Sequence, residues 1–237
     1  MSEMQSFIEG NFSNLLAVSW FLLCFVGYTE YARRVARSTH SLSSVMHRYR
    51  VEWMERMLVR DVRIADTTVI STLERGVAFF ASTTLLILAG LITVLGSTEK
   101  AIDIISDIPF ASQATTAEWE MKLLLLIAVF IYAFFKFTWG LRQYGFTSVM
   151  LGSTPMPSEQ MVDSARQAHA IRIANMMSLA ANNFNSGLRS YYFSMAVLGW
   201  FINPWLFIVL STGIVWVLYR REFKSRTLAE LVISRSE

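Results

Sequence analysis

The chain has 237 residues, of which 54% are hydrophobic and 16% charged, and its mean hydropathy is +0.41. A soluble globule of this length cannot bury so much apolar surface, which points to lipid as the solvent of most of the chain. The net charge of +3 does not mark a nucleic-acid binder, because the basic residues gather beside apolar runs, where orientation in a bilayer accounts for them.

Residues 1–14 contain Glu3 and Glu9 but no Lys or Arg, and the apolar run that follows is closed by Arg33, Arg34 and Arg37. A secretory signal carries its positive charge first, so this run reads as a retained anchor with its N-terminus outside. A crossing helix needs about 20 mainly apolar residues. The runs near Phe12 to Tyr31, Gly76 to Gly96 and Leu123 to Leu141 meet that need, with Lys136 close enough to an end to snorkel. Cys24 is the single cysteine and lies within the first run, so no intramolecular disulfide can form and the residue reads as packing.

Between the first two runs, the segment 43–75 reads as an amphipathic cytoplasmic helix. Met54, Leu58, Val62, Ala65, Val69 and Leu73 form its apolar stripe, while Arg48, Arg50, Glu52, Glu55, Arg56, Arg60 and Arg63 form a solvated face. The segment 97–121 reads as an outer loop with Glu99, Asp103, Asp107, Glu118 and Glu120, without the spacing of a cation-binding loop. After Gly152-Ser153-Thr154-Pro155-Met156-Pro157 a second cytoplasmic amphipathic helix, 158–186, begins near Ser158, Gln160 and Met161. Val162, Ala165, His169, Ile173, Met176, Ala180 and Phe184 lie on its inner face, which is expected to pack against the first amphipathic helix.

The uncharged stretch from Ser190 to Tyr219 would extend about 45 Å as one helix, so it is either a single kinked span or a hairpin turning at Asn203-Pro204. Charge separates the two. With a hairpin, nineteen of the twenty-one basic residues lie inside and only Lys100 and Lys122 outside; with one span the split is fourteen to seven. The hairpin also puts Trp200 and Trp205 at the outer interface and Tyr191, Tyr192 and Tyr219 at the inner one. The expected fold is thus all-α: one membrane domain over residues 1–237, a polytopic bundle of five spans with four as the alternative, N-terminus outside and C-terminus cytoplasmic.

No phosphate-binding glycine loop, nucleophile elbow or metal-binding histidine pair is present, so no enzymatic reading is forced and no cofactor or metal is expected. His40, His47 and His169 fall outside the spans, and His169 on an apolar face reads as a packed histidine. The candidate site is a polar cluster at the inner interface, Asn182, Asn183, Asn185 and Arg189 joined by Glu30 or Glu74, because three amides at one helix position exceed what a membrane boundary requires.

Four segments carry a family resemblance: Arg60-Asp61-Val62-Arg63-Ile64-Ala65-Asp66; Phe79-Phe80-Ala81-Ser82-Thr83-Thr84-Leu85-Leu86; Ala133-Phe134-Phe135-Lys136-Phe137-Thr138-Trp139; and Phe184-Asn185-Ser186-Gly187-Leu188-Arg189-Ser190-Tyr191-Tyr192-Phe193. They resemble a bacterial and plant membrane-protein family designated domain of unknown function 599. The resemblance implies a multi-pass protein of the bacterial inner membrane and transfers no reaction or ligand. The expected role is a non-enzymatic assembly or accessory component, with the bilayer and a homo-oligomer or larger membrane complex as partners; the alternative is a small oligomeric transporter or channel.

Overall fold

The computed structural model describes residues 2–35, 41–98, 115–159 and 162–233. Expectations resting on Arg37, His40, Glu99, Asp103, Asp107, Gln160 and Met161 lie outside them. The described residues form seven helices and no strand: α1 (Ser2–Val35), α2 (Leu42–Leu58), α3 (Ile64–Leu95), α4 (Thr116–Gly152), α5 (Asp163–Ile202), α6 (Pro204–Phe223) and α7 (Arg226–Ile233). Three helical stretches are long and apolar enough to cross a membrane, Phe12–Ala32, Ile64–Leu95 and Thr116–Gly152. Their hydroxyl side chains are absorbed by their own backbones: Thr83, Thr84, Thr93 and Thr138 each donate to the carbonyl four residues back. That is how polar side chains are tolerated where water is scarce.

Two expected helices have different limits. The segment 43–75 is not one helix. α2 opens on a Ser41 and Ser44 capping box and closes at Leu58, five residues turn, and α3 then runs unbroken into the second apolar stretch. The turn shifts the helical phase, so the expected stripe ends at Leu58. Beyond it Asp66, Ile70 and Val77 are buried, while Val62, Val69 and Leu73 are exposed. Likewise 158–186 begins at Asp163 and continues without a break to Ile202. Its buried face, Ala170, Ile173, Ala174, Met177, Ala180 and Ala181, overlaps the expected one at Ile173 and Ala180, whereas Val162 is exposed.

The chain forms two compact units, residues 1–34, 86–132 and 189–221 in the first, and 35–85, 133–188 and 222–237 in the second. In the first, the Ser190 to Tyr219 stretch is a hairpin. α5 ends at Ile202, Pro204 opens α6, and the Asn203 side chain caps the new helix by accepting from the Trp205 amide at 2.8 Å. The two arms run antiparallel: Trp200 stacks on Phe207 with centroids 5.1 Å apart, and further from the turn Arg221 donates to the Tyr192 hydroxyl at 2.7 Å. A Cβ on Gly199 would meet the Leu210 side chain, so the arms approach closely at that glycine. α1 packs on this hairpin through Phe21, in ring contact with Phe193 and Phe207.

Trp200 is 1% exposed and donates to Asn14 Oδ1 at 2.9 Å, while Trp205 is 62% exposed. The indole N–H found a partner on α1, which makes Trp200 a core residue.

In the second unit Phe80, Phe137 and Phe184 form a ring cluster with centroids 5.5–5.8 Å apart. A Cβ on Gly187 would overlap the Phe137 ring, so this glycine gives the ring its place.

Candidate functional site: a polar interior in the second unit

Three arginines expected on a solvated face are turned to internal work. Arg50, one turn before Met54 on α2, donates to Ser178 Oγ on α5 at 3.3 Å, and His47 Nδ1 lies 2.9 Å from the same oxygen. Ser178 gives its own proton to the Ala174 carbonyl at 2.8 Å. Its oxygen is therefore the acceptor of both, and His47 carries its proton on Nδ1. Burial pushes the His47 imidazole below the usual range, and the neighbouring Arg50 charge pushes the same way.

The α2–α3 turn is fixed by one carboxylate. Asp66, 2% exposed, accepts on Oδ1 from Trp53 Nε1 at 2.6 Å and from Arg60 Nη1 at 2.5 Å. Arg63 reaches the loop after α4, donating to the Thr154 and Pro155 carbonyls at 2.8 and 2.6 Å. Thr154 Oγ1 donates to the Met150 carbonyl and sits 3.0 Å from His169 Nε2 on α5. Burial lowers the His169 pKa and Arg172 and Arg63 lower it further, against a backbone hydrogen bond to Met150 that raises it. His169 is thus a packed, hydrogen-bonded histidine. Asp66 Oδ2 and Arg63 Nε are buried without a partner among the described residues.

The expected Asn cluster is distributed over several contacts. Asn183 receives Lys136 Nζ at 3.3 Å and donates to Gln143 Oε1 at 2.8 Å, so its partners are α4 residues outside the expected set. Asn182 Oδ1 accepts from Ser43 at 3.2 Å, and Asn185 is exposed. Glu30 pairs with Arg34 one turn on, the Arg189 guanidinium lies 5.8 Å from the Tyr28 ring centroid, and Glu74 lines an open cleft on α4. Lys136, read as a snorkelling residue, is the partner of Asn183 in this contact.

Sequence reasoning missed Asp66 and the short helix α7. Asp66 sat in a segment read as continuous amphipathic helix, where a carboxylate passes as surface. The visible signal was the pair Arg60 and Asp66, six residues apart in a stretch already singled out by its resemblance. α7 packs on α2, the Tyr49 hydroxyl donating to the Leu231 carbonyl at 3.1 Å.

In the first unit Lys122 is 2% exposed, its Nζ 5.6 Å from the Trp200 ring centroid and 5.9 Å from that of Phe201. A lysine this buried gains cation–π attraction from the two rings.

These features define an all-helical protein with apolar helices of membrane-crossing length and a polar interior built on a turn after its second helix. The chain belongs to the family described as "Protein of unknown function, DUF599", whose family model matches residues 16–227. No curated protein and no solved structure matches the chain.

Proposed function

We propose that the protein is a five-span component of the bacterial inner membrane, N-terminus outside and C-terminus cytoplasmic, and that it serves as a non-enzymatic assembly or accessory element. The supporting observation is how the second unit uses its charged groups. Arg50, Arg60 and Arg63 donate to a serine hydroxyl, one carboxylate and two backbone carbonyls, which makes them braces of a layer and leaves them committed away from any substrate. In this reading α2, the first part of α5 and α7 lie beneath the membrane, and the hairpin around Asn203 supplies the fourth and fifth spans. α6, with 20 residues, extends about 30 Å, the thickness of a hydrocarbon core.

The test is native mass spectrometry from mild detergent. A defined homo-oligomer or a stoichiometric foreign subunit supports the reading; a strict monomer with nothing retained overturns it. A small oligomeric transporter or channel is the second reading, favoured by the buried Lys122, since an ionisable group among membrane helices marks transport pathways. Ion flux into proteoliposomes that is lost in Lys122→Met would establish it over the first.

A further inference from the structure

The second unit carries an open cleft of about 720 Å³ along one face of α4, lined by Phe135, Trp139, Arg142, Phe146 and Val149, with Glu74 of α3 also in its lining. These α4 positions are three or four residues apart, one stripe about 21 Å long. Phe135 is 65% exposed, Trp139 51% and Val149 71%, so the stripe faces outward.

Two charges of opposite sign sit among these rings. Glu74 makes no hydrogen bond or ion pair among the described residues, and the Arg142 guanidinium has only the Phe146 ring, 5.5 Å away. A carboxylate and a guanidinium held apart in an apolar surface each want a counter-charge, and lipid tails supply none. Both residues stand at the inner ends of the second and third apolar runs, where headgroups lie.

We infer that this cleft binds a zwitterionic aminophospholipid. The Arg142 fork takes the phosphate, the Glu74 carboxylate takes the primary ammonium, and Phe135 and Trp139 flank an acyl chain. One ligand then satisfies both charges. An anionic headgroup without an amine would satisfy Arg142 and set a negative charge beside Glu74. The inference needs the membrane placement proposed above and does not depend on the assembly role.

The experiment measures lipid retention by native mass spectrometry after equal exposure to phosphatidylethanolamine and phosphatidylglycerol. Wild type should retain phosphatidylethanolamine about tenfold better. Glu74→Gln should abolish that preference while phosphatidylglycerol binding holds or rises, and Arg142→Gln should weaken both lipids about tenfold. Arg142→Lys, which keeps the charge and changes the fork, should recover part of the loss, and unchanged elution and thermal midpoint certify each variant's fold. Equal retention of the two lipids by wild type, or variants that behave as wild type, would overturn the inference. So would a lipid-free dimer lost in Glu74→Arg and restored by adding Arg142→Glu, because the cleft would then hold a second copy. If the protein proved to be membrane-bound but monomeric, the assembly role would fail and the lipid result would stand on its own.

Discussion

Asp66 is the residue on which the second unit turns, because Trp53 and Arg60 both donate to one of its oxygens and the Arg63 braces begin three residues before it. Asp66→Asn should destabilise the protein by about 1–3 kcal/mol; the figure sits below that for a fully buried pair because the Arg60 side chain is 42% exposed and screened by solvent. A thermal or denaturant series in detergent checks it, and Arg60→Met in the Asp66→Asn background should add little further loss, since the pair is already broken. His47 and His169 set a pH dependence. Their folded pKa values lie below the unfolded value near 6.5, so the neutral rings contribute full stability above about pH 6.5. As pH falls from there toward the folded values, the unfolded chain takes up protons that the fold resists, and stability is lost. Hydrogen exchange around Ser178 and Thr154 should quicken over that window, and His47→Gln with His169→Gln should flatten the response. The sequence showed His169 as packed but gave no such reading of His47, and it named neither partner, because Ser178 and Thr154 lie 131 and 15 residues away in the chain and no local periodicity reports such pairings.

Helix existence was legible from the run of apolar residues; helix limits were less so. The cap at Asn203-Pro204 was readable because its chemistry is local: an amide that accepts, then a ring that needs no donor. Asn203→Ala should cost about 1 kcal/mol and loosen the hairpin, seen as faster exchange of the amides following Pro204. The break between α2 and α3 was not read, because Val59 to Arg63 contains no Gly or Pro; its one local signal is the Arg60 and Asp66 pair, and the Arg63 contact that also holds the turn reaches Thr154, 91 residues on. Gly187 makes a second test at this scale. Gly187→Leu has no space against Phe137 and should lower the thermal midpoint strongly, whereas Gly145→Leu, with nothing within 4 Å of its Cβ position, should change it little.

For the whole molecule, composition alone indicated lipid, and three helices of crossing length follow from it. The proposal of two further spans and of the sidedness of the ends rests on the positive-inside distribution, with the hairpin geometry as support. The candidate site was the least legible part. Asn183 was singled out as one of an amide cluster, but amides name their partners only in three dimensions, and here those are Lys136 and Gln143. The most direct test of the five-span account is cysteine labelling with a membrane-impermeant maleimide in intact bacterial cells, using Ile202→Cys at the hairpin turn and Thr227→Cys on α7, both exposed, in a Cys24→Ala background. We expect Ile202→Cys to label in intact cells and Thr227→Cys only after permeabilisation. Labelling of Thr227→Cys in intact cells, with Ile202→Cys protected throughout, would contradict the account and make the last stretch a single span.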